Sequence, residues 1–354
     1  MKKMQVAVLG ATGIIGQRFV QLLEDHPWFE IQGLYASERS EGKRLGEVNK
    51  VKDHVFLPET LGRKVEQINV GKIAKNCRLA FSGLPSEIAK DYESQLAEAG
   101  VAVFSNAASH RMRDDVPLLI PEVNAKHLDL IKKQPTFAQG GFIVTNANCS
   151  TTGLAPPLKA MQDAFGLEQV VVSTYQAVSG AGYPGVPSLD ILGNVVPYIK
   201  GEEEKMEAEI LKMLGTLKGG KVQDAKFAMF ACCARVPVVN GHLESVLVRC
   251  TKEPSADDVV GAMRKFRAEP QKLGLPTAPK DAIIVRDEPD RPQPLWDVNA
   301  GEPLRARGMA VTVGRVRKKD DCIKFFLLSH NTLRGGAGGS VLNAELACAK
   351  GILK

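Results

Sequence analysis

Residues 5–24 read Gln5-Val-Ala-Val-Leu-Gly10-Ala-Thr-Gly13-Ile-Ile-Gly16-Gln-Arg-Phe-Val-Gln-Leu-Leu-Glu24. An apolar run, three glycines spaced by three, and apolar residues at helical spacing predict a buried strand, a tight turn and a helix over 13–24, ending before Pro27. The pattern is G-x-x-G-x-x-G and not the commoner G-x-G-x-x-G, but the physics is the same. Gly10 permits the turn, Gly13 lets backbone N–H groups approach a pyrophosphate, and Gly16 allows helix and sheet to pack closely.

Outward from this turn, residues 30–36 read as a second strand. Further strands are expected at 79–82 and 101–105, with a helix over 87–99 between them. Alternating strands and helices imply an α/β fold with a doubly wound parallel sheet. After 142–145 the strands lengthen, at 169–177, 227–234, 245–251, 309–316 and 323–328, and predict a mixed or antiparallel sheet in a second domain. Residues 335–354 return to helical spacing through Val341, Leu342, Ala344, Leu346, Ala347 and Ile352, a helix expected to pack back on another element. The Pro-rich stretch 287–294 is short enough for an ordered surface loop, and no internal repeat is present.

The second strand ends in Ala36-Ser-Glu-Arg-Ser40. In dinucleotide sites this position chooses between a ribose diol, held by an acid, and an added 2′-phosphate, held by a base. Ser37, Arg39 and Ser40 favour NADP, while Glu38 is the nearby candidate for a diol contact.

Composition bounds what such a chain can do. With 354 residues, 44% hydrophobic and 24% charged, it can build two cores. No run approaches a membrane span and no signal peptide precedes the first strand, so a cytoplasmic location is expected. The net charge of +6 comes from interleaved acids and bases, which suits a small anion better than a nucleic acid. Seven cysteines without a C-x-x-C pair argue against disulfides or a structural metal.

One cysteine differs from the rest. Cys149, in Thr145-Asn-Ala-Asn-Cys-Ser-Thr-Thr-Gly153, follows a strand and precedes a helical stretch over 153–165, where a helix N-terminus favours thiolate. Pro156 and Pro157 are comfortable only in a first turn, so the regular helix is expected to start several residues after Cys149. Cys77, Cys232, Cys233, Cys250, Cys322 and Cys348 lie in apolar runs and read as buried, inert thiols. Of six histidines, His242 has the most telling surroundings, because Arg235-Val-Pro-Val-Val-Asn-Gly-His242 places an arginine and a histidine beside one turn. A carboxylate clamp and a general acid/base are the roles such a pair would fill. His26, His54, His110, His127 and His330 carry less information.

Together with Ser105-Asn-Ala-Ala-Ser-His-Arg-Met112, Gln176-Ala-Val-Ser-Gly-Ala-Gly182, Gly201-Glu-Glu-Glu-Lys205 and His330-Asn-Thr-Leu-Arg-Gly-Gly336, these motifs resemble the aspartate-β-semialdehyde dehydrogenase family, in its archaeal and fungal branch. The resemblance runs nearly end to end. It implies a Rossmann-type NADP domain over 1–148, completed by a C-terminal helix over 334–354, and an α+β catalytic and dimerisation domain over 149–333 with a mixed sheet. It implies reversible reduction of L-aspartyl-4-phosphate by NADPH, with release of phosphate, toward lysine, threonine and methionine. Cys149 resembles the nucleophile, His242 the acid/base and Gln176 an orienting residue. Arg235 resembles the clamp for the substrate α-carboxylate and Glu202 the partner of its amino group, although Glu203 and Glu204 adjoin it and the choice rests on Glu-x-x-Lys spacing. Lys205, Arg111 and Asn148 resemble the phosphate ligands. Gly10, Thr12, Gly13, Ile14, Ile15, Gly16, Ser37, Arg39, Ser40, Ser82, Ser179, Gly180 and Asn331 resemble the cofactor contacts, and a homodimer or homotetramer is implied, with the second sheet as the natural interface.

Three alternatives share parts of this pattern. Malonyl-CoA reductase keeps the cysteine and histidine but needs no amino or phosphate contact, so Asn148 and the Glu202/Lys205 pair favour the aspartyl substrate. N-acetylglutamyl-phosphate reductase leaves no ammonium for Glu202. A catalytically silent dinucleotide-binding regulator is opposed by the joint presence of Cys149, His242, Gln176 and Arg235.

Overall fold

In the computed structural model, which describes residues 2–353, the opening stretch folds as strand β1 (Met4–Leu9) and helix α1 (Ile14–Leu23). Gly10 has φ +73°, and a Cβ on it would stand 2.6 Å from the Gly83 carbonyl oxygen. A Cβ on Gly16 would meet the Gly10 carbonyl oxygen at 2.1 Å, so only glycine allows this helix to approach the turn.

β1 is an inner strand of a seven-stranded parallel sheet. Its other strands are β2 (Phe29–Ala36), β3 (Val65–Gln67), β4 (Leu79–Ser82), β5 (Ala102–Ser105), β6 (Leu118–Leu119) and β7 (Phe142–Asn146). The order 3-2-1-4-5-7-6 reverses direction between β1 and β4 and opens a crevice there, beside the glycine turn. The sheet is buried on both faces, as parallel sheets require. Helix α2 (Ser86–Glu98) packs Ala89 and Leu96 beneath Ala7, Leu9 and Ala80, while Phe19, Val20 and Leu23 of α1 pack on Val6, Val8 and Phe81 opposite.

Helix α3 (Cys149–Phe165) begins at Cys149 itself, with Asn148 as its N-cap. The expected delay does not occur. Pro156 and Pro157 lie inside the helix, each removing an N–H donor. Two causes outweigh that loss: the Asn148 Oδ1 accepts the Ser150 and Thr151 N–H groups at 2.9 and 3.2 Å, and the helix is buried from Ser150 through Leu158 in the second core.

That core lies against a six-stranded mixed sheet, ordered β11-β8-β12-β15-β14-β13. The strands are β8 (Gln169–Gln176), β11 (Ala228–Arg235), β12 (His242–Arg249), β13 (Ile283–Arg286), β14 (Val311–Lys319) and β15 (Cys322–Ser329), while β9 (Thr216–Lys218) and β10 (Lys221–Gln223) form a separate hairpin. Helix α4 (Glu202–Met213) turns Met206, Ile210 and Met213 into the same core. The outer face of the sheet leaves Tyr175 and Phe230 exposed.

The chain then returns. Leu333–Ala337 forms a wide turn, so the regular helix, α5 (Gly338–Ala349), is shorter than the helical spacing over 335–354 implies. Val341, Leu342, Ala344, Leu346 and Ala347 join the core built by β1, α1 and β4. The buried Arg334 guanidinium grips Glu122 with two bonds, at 2.7 and 3.0 Å, and pins the return to the first sheet. The two cores also exchange segments: Leu118, Ile120 and Val123 pack in the second, and Leu275, Ala278, Ala306 and Met309 in the first.

Cys77, Cys233 and Cys250 are buried as expected, but Cys232 is exposed and Cys322 and Cys348 are partly exposed. Cys232 sits on the outward side of the alternation along β11, which an apolar run alone does not reveal. Among the described residues, no helix is long and apolar enough to cross a membrane.

Candidate active site

Cys149 Sγ lies 3.2 Å from His242 Nε2. The sulfur starts α3, and the imidazole is at the start of β12, so the two cores meet at this contact. Behind the thiol, Gly335 approaches so closely that a Cβ on it would stand 2.8 Å from both Cys149 Cα and Cβ. A Cβ on the next residue, Gly336, would meet Ile15 Cδ1 at 2.8 Å. Two glycines of the returning chain therefore separate the thiol from the first turn of α1.

Gln176 and Arg235, neighbours in the parallel pairing of β8 and β11, flank the pair. Glu202 enters from the first turn of α4, and its Oε1 accepts from Asn148 Nδ2 at 2.8 Å and from Gln176 Nε2 at 3.0 Å. Glu203 instead accepts the Cys233 N–H, and Glu204 is exposed, so only Glu202 of the three faces the thiol. Arg235 donates to the Ala177 carbonyl at 2.9 Å and has no carboxylate partner among the described residues.

The expected phosphate ligands are less uniform. Arg111 is buried, with Nη1 on Glu209 Oε1 at 2.9 Å and Nη2 on the Asn106 carbonyl at 2.8 Å. Lys205 is exposed at the surface of α4 near Gly201, whereas Glu202, three residues earlier, is buried. The helix thus presents the two charges at different depths. The Asn148 carbonyl caps α3 while its Nδ2 holds Glu202, which leaves one N–H for a ligand.

Sequence reasoning missed Glu209. Its Oε2 accepts the Asn148 N–H at 2.7 Å, and its other oxygen holds Arg111, so one carboxylate sets both residues beside the thiol. Lys212, one turn on, donates to the Arg111 and Arg113 carbonyls at 2.7 and 2.9 Å. Two buried charges on the apolar face of α4, among Met206, Ile210 and Met213, were the available signal.

Burial dominates the electrostatics. It pushes the Cys149 thiol up to about 12, the Glu202 carboxylate adds to the rise, and Arg235, Arg111 and the Ser150 N–H oppose it. The helix N-terminus is therefore outweighed, and the neutral thiol is the resting form. Burial, then Arg235 and His330, lowers His242 to about 3, so the ring is neutral.

Around the crevice, Thr12, Gly13, Ile14 and Ile15 are partly exposed, and no side chain caps α1 at Gly13. The N–H groups of its first turn remain open to an anion. Ser37 and Arg39 are exposed and Ser40 is partly so, on the turn that follows β2. These features fit a dinucleotide phosphate. Ser82 is buried at the end of β4, its hydroxyl included. Ser179 and Asn331 are joined, with Asn331 Nδ2 donating to Ser179 Oγ at 2.8 Å and Asn331 Oδ1 accepting the Gly241 N–H at 2.9 Å. Gly180 covers the thiol pair, since a Cβ on it would lie 2.8 Å from Arg235 Nη1 and 3.2 Å from His242 Nε2.

A doubly wound nucleotide fold joined to a mixed-sheet domain, with a cysteine and histidine in contact between them, defines a two-domain, nucleotide-dependent oxidoreductase with a thiol site. Residues 5–131 match the model of the semialdehyde dehydrogenase NAD-binding domain, and residues 158–334 match that of the semialdehyde dehydrogenase dimerisation domain. The chain is 47% identical to an aspartate-semialdehyde dehydrogenase of Archaeoglobus fulgidus, over 98% of this chain and 99% of that one. It is 50% identical to one of Methanothermobacter thermautotrophicus, over 96% and 98%. A crystal structure of the Candida albicans aspartate-semialdehyde dehydrogenase with NADP superposes with TM-score 0.89 at 40% identity, covering 99% of each chain. A Vibrio cholerae aspartate-semialdehyde dehydrogenase II gives TM-score 0.77 at 28% identity, over 98% and 99%. The chain belongs to the aspartate-semialdehyde dehydrogenase family.

Proposed function

We propose that the chain reversibly reduces L-aspartyl-4-phosphate to L-aspartate 4-semialdehyde and phosphate with NADPH, through a thioester on Cys149, on the route to lysine, threonine and methionine. The observation that carries this is the contact of Cys149 with His242 beside an arginine without a carboxylate partner among the described residues and a carboxylate held by two amides. An amino acid's two charged groups complement Arg235 and Glu202. Arg111 and Lys205 bring positive charge for the phosphate, with Glu209 already countering part of it. Gln176 and Asn148 orient Glu202, and of the N–H groups at the start of α3 that of Cys149 is left for the developing oxyanion, since those of Ser150, Thr151 and Thr152 are taken by Asn148.

The bound nicotinamide supplies or takes up hydride. The glycine turn 10–16 fits its pyrophosphate, and the exposed Arg39, flanked by Ser37 and Ser40, suits the 2′-phosphate of NADP, the cofactor of the Candida relative. Residues 1–148 with 334–354 act as the nucleotide unit and 149–333 as the catalytic unit. Tyr175 and Phe230 on the open sheet face support pairing of two such units in a homo-oligomer.

The test is phosphate-dependent reduction of NADP with aspartate semialdehyde. Turnover that is lost in Cys149→Ala, with preferential iodoacetamide labelling of Cys149, supports the proposal. Activity with malonyl-CoA alone overturns the substrate, and full turnover in Cys149→Ala overturns the chemistry.

A further inference from the structure

We infer that Lys50 is a further ligand of the cofactor, its ammonium paired with the pyrophosphate of the dinucleotide at the mouth of the glycine turn. This rests on the reading of residues 10–16 as the pyrophosphate site.

Lys50 Nζ donates to the Thr12 carbonyl, inside that turn, at 2.9 Å. It also stands 4.5 Å from the centroid of the Tyr183 ring, in the loop that carries Gly180 over the thiol pair. An ammonium has three N–H donors. One serves the carbonyl and one faces the ring, which leaves the third for an anion. The lysines that do pair with carboxylates lie elsewhere, and among the described residues Lys50 has no such partner. Asp53, three residues on, is already held by Arg18 at 2.8 Å and by Asn240 at 3.4 Å. Lys50 therefore brings an uncompensated positive charge to the turn.

A lysine after an exposed turn is ordinarily solvated, but this one is fixed. Gln17 is fully buried on α1, one turn past Gly13. Its Oε1 accepts the Lys50 and Val51 N–H groups at 2.8 and 3.2 Å, and its Nε2 donates to the Val48 carbonyl at 2.7 Å. Val51 is buried in the first core. The helix that presents the open N–H groups thus also holds the lysine backbone, and the partly buried side chain has only its end to place.

Charge and order along the cofactor identify the group that Lys50 meets. The 2′-phosphate belongs at Arg39 and the nicotinamide at Cys149, so the pyrophosphate, which lies between them in the molecule, comes to the turn. It carries two negative charges, of which a helix N-terminus offsets about half of one. An ammonium offsets a second. Lys50 serves NADP and NAD alike, because both carry the pyrophosphate.

Calorimetric titration of the full chain with NADP, NAD and adenosine 2′-monophosphate separates the groups. Lys50→Met keeps most of the stem and removes the charge. Its Kd for NADP and for NAD should both rise about tenfold or more, the loss of one hydrogen bond to a charged group. Adenosine 2′-monophosphate has no pyrophosphate, so its Kd should stay within about twofold, which also reports an intact fold. Unchanged binding of both dinucleotides overturns the inference. A loss confined to NADP and shared with adenosine 2′-monophosphate overturns it too, by putting the lysine on the 2′-phosphate, and a loss of all three ligands would make Lys50 a residue of the fold. Gly13→Asp tests the turn itself. Gly13 is the N-cap of α1 with φ −86°, and a Cβ there meets nothing closer than the Gly10 carbonyl oxygen at 3.3 Å. An aspartate in that place caps the first-turn N–H groups and repels an anion, so both dinucleotides should weaken about tenfold or more. If Gly13→Asp weakens them and Lys50→Met does not, the role of Lys50 alone fails. If Gly13→Asp leaves them unchanged, the reading of the turn fails.

Discussion

Glu209 accepts the Asn148 N–H at 2.7 Å while its second oxygen holds Arg111, so a single buried carboxylate fixes the start of the thiol helix and a guanidinium beside it. Glu209→Ala leaves Arg111 buried without its counter-charge. The expected cost is about 3 kcal/mol of stability in urea unfolding, together with a raised KM for phosphate. Unchanged stability and KM would show that the carboxylate holds nothing.

Glu202 raises the Cys149 thiol, so Glu202→Gln should lower it. Thiolate absorbance and iodoacetamide labelling at pH 8 should both increase, while KM for the aspartyl substrate rises at least tenfold. Slower labelling at that pH contradicts the sign of the coupling.

Gly335 has no room for a side chain. In Gly335→Ala the new carbon would press on the Cys149 backbone, costing about 1–3 kcal/mol and moving the sulfur off His242. A tenfold or greater fall in kcat is expected, with Kd for NADP changing less. An alanine variant with full kcat would mean that the returning chain gives way.

Glu244 is buried, without hydrogen-bond partners among the described residues, and burial followed by the Glu202 charge raises it well above 4.5. The folded chain keeps this proton where the unfolded chain loses it, so stability is present below pH 4.5 and is lost as pH rises toward the folded value. Glu244→Gln removes that dependence. Its gain in urea midpoint over the parent should grow from about pH 5 to pH 8, and an equal difference at both would refute the assignment.

Arg39 is the one guanidinium on the turn after β2. Arg39→Ala should raise KM for NADP at least tenfold and leave KM for NAD within about twofold, as steady-state kinetics with each cofactor would show. Equal effects on both would remove Arg39 from the 2′-phosphate.

Local pattern carried the nucleotide half of the fold. Gly10 and Gly16 lie where their spacing put them, because a turn between strand and helix is governed by short-range sterics. The start of α3 was misjudged for the opposite reason: Pro156 and Pro157 obey a local rule, whereas the helix is held by a cap at Asn148 and by burial. The thiol pair joins residues 93 apart in sequence, so local pattern singled out Cys149 and His242 separately, and the resemblance put them together. Glu209 and Glu244 escaped notice although each places a charge on an apolar face, of α4 and of β12. The role of Gly335 depends on a missing side chain, which residue type alone does not announce.

The return of the chain through Arg334 and α5 has a consequence for biogenesis. Val341 to Ala347 leave the ribosome long after Val6, Val8 and Phe19, yet they complete the core that those residues begin. The nucleotide half cannot close before Ala347 has been made. Nascent chains arrested before residue 334 should therefore remain open to protease within residues 5–131, and the full chain should not. The glycine turn waits on α5, so a ribosome that stalls between Cys149 and Gly338 releases a product with a thiol but no finished nucleotide fold.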